Sequence, residues 1–270
     1  MTKLRLIATD LDGTLLDETG SLPEGVFDVV TPICERGVLF IPASGRQYAS
    51  LKTMFSPLAD KAAFLCENGA LVKYMGRSIY LNPLANEQAK RVIDAVRNTP
   101  NVLPIYCGED TAFIENADED FFTRVQRAYP AHRLVNNLDD VIGQEPCCKI
   151  SLYSTESAET QAYKLLSPLL GNEVSFTLSG GHWCDVAAPT ANKGTAIREI
   201  QRLFSVSREE CAAFGDHMND LQLFQHCAHT FAPENAYPPI KALAKTIIPS
   251  NRERGVLKTL QTLFDEGAFL

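Results

Sequence analysis

The chain has 270 residues, 45% hydrophobic and 21% charged, as in a soluble globular protein of one large or two modest domains. Its net charge is −8 and its densest basic cluster, "SNRERG" (250–255), includes a glutamate, which argues against nucleic acid as a partner. No apolar stretch approaches the ~20 residues of a membrane span, and "MTKLRLIATD" lacks a signal-peptide pattern, so a cytoplasmic protein with no membrane partner is expected.

In chain order, "LRLIATDL" (4–11) reads as a fully buried strand of a parallel sheet, ending in aspartate. "SLPEGVFDVVTPICERG" has Val26, Val29, Val30 and Ile33 at helical spacing, with Gly37 as the stop. Pro32 inside it predicts a kink or break. "VLFIPASGR" (38–46) and "AAFLCENGA" (62–70) are further apolar runs, so the opening third alternates strand and helix.

The rhythm then changes. "ANEQAKRVIDAVRN" (85–98) predicts an amphipathic helix on Ala89, Val92, Ile93 and Val96. "NVLPIYCGEDTAFIEN" (101–116) predicts a hairpin around Gly108-Glu109-Asp110, and "DEDFFTRVQRAY" a helix. "CCKISLYS" is strand-like, and "ESAETQAYKLLSPLL" predicts a helix ending near Pro168. "EVSFTLS" and "HWCDVAA" are joined by Gly180-Gly181 as a second hairpin.

After residue 188 the first pattern resumes. "NKGTAIREIQRLF" predicts a helix with Ile197, Ile200, Leu203 and Phe204 on one side. "ECAAFGD", "AHTFAPENA" and "AKTIIPS" are strands, and "GVLKTLQTLF" closes as a helix. The fold class is therefore α/β: a Rossmann-like parallel-sheet core in two pieces, 1–83 and 188–270, with an inserted α+β domain at 84–187. The eight cysteines form no Cys-x-x-Cys pair and are read as buried thiols.

Four of these element ends carry chemistry. Asp10 and Asp12 follow the first strand two residues apart, so their side chains fall on one side. Carboxylates that close repel unless a cation or a shared proton intervenes. Gly13 permits a tight turn and Thr14 adds a hydroxyl. A plain solvated Asp-Gly turn is the bland alternative. "FGDHMND" (214–220) repeats the design with Asp216, Asn219 and Asp220, a set of oxygen ligands suited to Mg2+. A helix cap explains only one of those three residues. In "PASGR" (42–46), Ser44 and the amides around Gly45 suit phosphate oxygens. In "TANKGTA" (190–196), Lys193 opens a helix, where a cation opposes the dipole unless an anion binds beside it.

Taken in chain order, the four segments resemble the motifs of the haloacid dehalogenase superfamily of phosphohydrolases: "DLDGT", "ASGR", "NKG" and "GDHMND". The α+β insert resembles the large cap of its Cof-type branch, and "ENGA" (67–70), "ENA" (234–236) and "GVLK" (255–258) extend the likeness over essentially the whole chain. Ala43 and Leu223 depart from the branch's usual Thr and Met without removing a catalytic group.

The resemblance implies an Mg2+-dependent phosphatase of small phosphorylated metabolites, working through an aspartyl-phosphate. It implies Asp10 as nucleophile and Asp12 as acid and base. Asp10, the Asp12 carbonyl and Asp216 would hold the metal. Ser44, Gly45, Lys193 and Asn219 would bind phosphate, with Thr14 and Asp220 in support. Substrate choice would fall to the cap, with Lys149, His182 and Asp185 as candidates beside Tyr106 and Trp183, and to Arg46 and Asn68 from the core. A packing role is the bland alternative for Trp183, and a surface role for His182. A phosphosugar mutase and a catalytically silent phosphometabolite-binding regulator are the alternative functions. The protein is expected as a monomer or homodimer.

Overall fold

The structure, a computed structural model, describes residues 3–115 and 119–269. Asn116, the last residue of the expected hairpin, and Asp118, the first of the following helix, lie outside them. The chain divides into two compact units. One takes in the chain up to Gly45, Leu51–Tyr80 and everything from Asn192 on; the other comprises Arg46–Ser50 and Leu81–Ala191.

The first unit is organised by a five-stranded sheet, all parallel. Its spatial order is Thr246–Ile248, His229–Pro233, Cys211–Phe214, Leu6–Thr9, Leu39–Pro42. Leu6–Thr9 is buried at every residue, which explains why its sequence runs apolar rather than alternating. Ile7 lies opposite Ala212 on one side and Phe40 on the other. The chain moves outward from the first strand to Leu39–Pro42, then returns to the first strand's other edge with Cys211–Phe214. That reversal leaves a crevice beyond the carboxyl ends of two adjacent strands, where open α/β sheets bind ligands. A bridge between Ala43 and Leu65 leads to Ala63–Cys66, which continues as an antiparallel ribbon through Leu71–Tyr74 and Arg77–Leu81. Helix Lys193–Phe204 packs Ala196, Ile197 and Ile200 into a core with Leu6, Ile41, Ala213 and Leu223.

Three expectations need correction. Helix Val26–Glu35 runs through Pro32 without a break. The ring forfeits only its own amide's bond, late in the helix, while the Pro32 carbonyl still accepts from Arg36 N–H at 3.3 Å. Burial of Val26, Val30 and Ile33 holds the segment in place. The helix expected to end near Pro168 does so: Lys164–Leu170 stops at Gly171, which takes φ +58°. Leu203 sits at the edge of its helix's apolar stripe and is 44% exposed. Cys34 is half-buried and the other seven cysteines are buried, all as free thiols.

The second unit is α+β. Its six-stranded sheet runs Ser175–Leu178, Trp183–Ala187, Lys149–Ser154, Val102–Cys107, Ala112–Ile114, His132–Leu134, antiparallel except for the last pair. Helix Asn86–Arg97 buries Ala89, Val92, Ile93 and Val96, the predicted face. Helix Glu119–Ala128 sets Phe121 and Val125 into a cluster with Ile105, Ala112 and Tyr153, against which Trp183 packs. Among the described residues no helix is long and apolar enough to cross a membrane.

Candidate active site

Asp10 leaves the first strand with its N–H still donating to the Phe214 carbonyl at 2.9 Å, so the sheet sets the direction of its side chain. The chain then turns tightly through Leu11–Leu15, with Gly13 at φ +84°. A Cβ at Gly13 would collide with the Asp216 carboxylate, so two facts demand glycine there: the backbone conformation and the approach of the second loop. Thr14 Oγ1 donates to Asp216 Oδ1 at 3.0 Å, tying the two acidic loops together. Asp12 is exposed, in contrast to Asp10, which is buried.

The second loop follows Cys211–Phe214. Asp216 is half-buried, and its N–H donates to Asp220 Oδ2 at 3.0 Å. His217 N–H donates to the same oxygen at 3.2 Å. Gly215 allows this fold-back, since a Cβ there would lie 2.5 Å from Asp220 Cβ. Asn219 is half-buried in the intervening Met218–Asp220 turn.

Lys193 is the first residue of its helix, after an Asn192 cap whose side chain accepts from Thr195 N–H at 3.0 Å. It is 1% exposed. Its ammonium donates to Asp10 Oδ1, and to Asp220 Oδ1 at 2.6 Å. Asp220 therefore uses one oxygen on the lysine and the other on two backbone amides, an arrangement that orients Lys193 rather than one that awaits a ligand.

Ser44 is buried at the end of Leu39–Pro42. Its N–H donates to the Leu65 carbonyl at 2.9 Å, and its carbonyl accepts from Asn68 N–H at 3.1 Å. A Cβ on Gly45 would lie 2.9 Å from Asn68 Oδ1, so Asn68 packs against the bare face of Gly45 and would have to shift for any side chain there. The same turn brings Gly69, at φ +100°, against the Asn192 carbonyl, where any side chain would collide. The "ENGA" segment thereby seats the start of the helix that carries Lys193.

Oxygens of Asp10, Asp216 and Asp220 all lie within 4.8 Å of one another. Burial raises Asp10 well above the ordinary carboxylate value; Lys193 pulls it down, and the neighbouring Asp220 and Asp216 push it up again. Burial, then Asp220, raises Asp216. Burial alone would lower Lys193, but Asp10 and Asp220 more than reverse this, so the ammonium is held charged. With all three carboxylates ionised, one ammonium leaves an excess of two negative charges in a largely buried space, a surplus that burial and mutual repulsion resist. An oxygen-rich donor set with that excess fits a hard divalent cation.

The remaining candidates belong to the second unit, apart from Asn68. Arg46 is half-buried at the start of its first segment. Lys149 and Asp185 form a buried ion pair at 2.9 Å. His182 is exposed, with Nδ1 2.9 Å from the Ser154 carbonyl. Tyr106 is fully buried and donates its hydroxyl to the Glu145 carbonyl at 2.6 Å. Trp183 packs against Tyr153 and Tyr129.

The sequence pattern of the haloacid dehalogenase-like hydrolases matches residues 7–260. The chain belongs to that family. It is 29% identical over 268 residues to the 5-amino-6-(5-phospho-D-ribitylamino)uracil phosphatase YbjI of Escherichia coli, covering 98% of each chain. It is 24% identical over 241 residues to the HMP-PP phosphatase of Cronobacter sakazakii, covering 88% of this chain and 87% of that one. The crystal structure of TM0651 from Thermotoga maritima shares the fold, with a TM-score of 0.84 at 24% identity over 96% of this chain and 97% of that one.

Proposed function

We propose that this hydrolase is an Mg2+-dependent phosphatase of small phosphorylated metabolites in the cytoplasm, acting through an aspartyl-phosphate on Asp10. The observation that carries the reading is the buried excess of negative charge around Lys193. Phosphatase relatives that act on a phosphoribityl-aminouracil and on HMP-PP support the substrate class.

An Asp10 carboxylate oxygen attacks phosphorus, and the bond to the leaving oxygen breaks. Asp12, exposed beside it, gives its proton to that oxygen. Asp12, now ionised, takes a proton from water as the water attacks the acyl phosphate. Phosphate leaves and Asp10 is regenerated. Lys193, with Ser44 and the Gly45 amide, binds the phosphoryl oxygens; Asn219 supports that side, and Asp220 keeps the ammonium in place. Asp10, the Asp12 carbonyl and Asp216 would hold Mg2+, with Thr14 orienting Asp216. The ion, when bound, supplies charge neutralisation for the meeting of carboxylate and phosphate. Within this reading the core is 1–83 and 188–270, and the insert 84–187 governs substrate choice. Lys149, His182 and Asp185 are the candidates there, beside Arg46 and Asn68.

The test is inorganic phosphate release from a panel of phosphorylated metabolites with Mg2+ and no acceptor sugar. Wild-type protein is expected to turn over at least one member, and Asp10→Asn to lose about ten-thousandfold or more while remaining folded. No release from any member, or near wild-type rates in Asp10→Asn, overturns the assignment.

A further inference from the structure

The turn that carries Asp12 has a soft joint. Gly13 must be glycine because Asp216 crowds it, and glycine is the residue with the widest choice of backbone conformations. An exposed side chain such as Asp12 gains little positional definition from packing, so whatever fixes the adjoining Gly13 peptide contributes to its placement.

Two asparagines outside the four motifs do this. Asn235, in "ENA" just after strand His229–Pro233, donates from Nδ2 to the Gly13 carbonyl at 2.7 Å. Its Oδ1 accepts from Asn251 N–H at 3.0 Å. Asn251 in turn donates from its own Nδ2 to the Leu16 carbonyl at 2.9 Å. The turn is thus held at the carbonyl of its soft joint and again three residues on, from loops that follow the two outermost strands on that edge of the sheet. The same 234–237 segment also reaches the metal loop, where Tyr237 N–H donates to the Asp216 carbonyl at 2.8 Å. Asp12, Gly13, Asn235 and Asn251 all border one open pocket of about 580 Å³, so the grip lies beside the acid rather than behind the sheet.

We infer that Asn235, backed by Asn251, is a positioning residue for Asp12: it sets the aim of the proton donor by fixing the Gly13 peptide. The inference rests on the reading of Asp12 as acid and base given above. Asparagine is specific here because the position needs a donor toward Gly13 and an acceptor toward Asn251 on one short planar group. Aspartate would keep the acceptor and turn a second oxygen toward the Gly13 carbonyl.

The experiment compares p-nitrophenyl phosphate with phenyl phosphate. Both present the same ring, but nitrophenolate leaves readily without a proton while phenolate needs one. The ratio of their kcat/KM values therefore reports proton donation to the leaving group, and a general loss of folded enzyme cancels from it. Asp12→Ala serves as the control and is expected to raise the ratio by about a hundredfold. Asn235→Asp and Asn235→Ala are expected to raise it by about tenfold, through misplacement of the acid, and Asn251→Ala to raise it less. Asn235→Ala carries the comparison if Asn235→Asp does not fold. A ratio that moves in Asp12→Ala but stays at the wild-type value in both Asn235 variants overturns the positioning role alone. A ratio that stays flat even in Asp12→Ala overturns the acid assignment and the inference together.

Discussion

Each unit of the molecule buries a lysine against an aspartate, and only one of the two arrangements has the makings of chemistry. In the α+β unit, Lys149 reaches Asp185 Oδ2 at 2.9 Å. Ser151 and Ser179 donate to the same carboxylate, at 2.7 and 3.3 Å. Asp185 lies opposite Ser151 on the neighbouring strand, so the pair is a diagonal contact within the sheet. In the α/β unit, Lys193 faces Asp10 and Asp220, with Asp216 close by, at the open end of the strands. Among the described contacts the first set pairs one cation with one carboxylate; the second, with its carboxylates ionised, carries a negative surplus. Burial of an ion pair is therefore no sign of a site, whereas a buried surplus is, because a fold does not retain one without something to offset it.

Removing each lysine tests that distinction. Lys193→Met leaves the carboxylates facing one another; hydrolysis is expected to fall by about a hundred- to thousandfold, and the metal-free fold to lose about 3–5 kcal/mol. Mg2+ should then raise the melting temperature of Lys193→Met more than that of wild type, since the same ion offsets a larger surplus. Lys149→Met takes the Lys149 cation from the buried Asp185, leaving it the hydroxyls of Ser151 and Ser179, and is expected to cost about 3 kcal/mol in thermal or denaturant unfolding, with no added response to Mg2+. Replacing both partners, Lys149→Met with Asp185→Leu, should recover most of that loss. A selective Mg2+ rescue of Lys149→Met would break the contrast between the two units.

Much of this was legible in the amino-acid order, for identifiable reasons. Strands that end in Asp10 and Asp216 announce themselves because a wholly buried strand is uniformly apolar until it meets the crevice. Lys193 was legible as a cation where a helix dipole disfavours one. What stayed hidden depends on contacts distant in sequence. Pro32 reads as a helix breaker, yet the core contacts of Val30 and Ile33 override that local preference. Asn235 stands out only as part of "ENA" and Asn251 not at all, and the role of neither is legible, since their carbonyl partners, Gly13 and Leu16, lie more than two hundred positions away. Of the candidate pair Lys149 and Asp185, sequence gave two charges but not their contact, which only the strand register supplies.

The smallest expected effect concerns pH, and it separates the surplus from the general charge of the protein. Asp10 and Asp216 both have pKa values raised above the ordinary 3.8 in the fold. For such groups the unfolded chain gives up its protons first, so their contribution to stability is complete below pH 3.8 and is lost as pH climbs through the raised values. Exposed carboxylates with lowered values, such as Asp17 and Glu253, slope the other way, so the whole-protein curve mixes both signs. The difference between wild type and Asp216→Asn isolates the site. In EDTA, the melting temperature of Asp216→Asn relative to wild type is expected to rise as pH goes from about 4 to neutrality, because the variant has one fewer carboxylate to ionise against its neighbours. Saturating Mg2+ should reverse the order at neutral pH, since wild type then gains a ligand interaction that the variant has lost. Parallel curves in EDTA would mean that the carboxylates around Lys193 carry no unresolved repulsion, and the contrast with Lys149 would reduce to one of position alone.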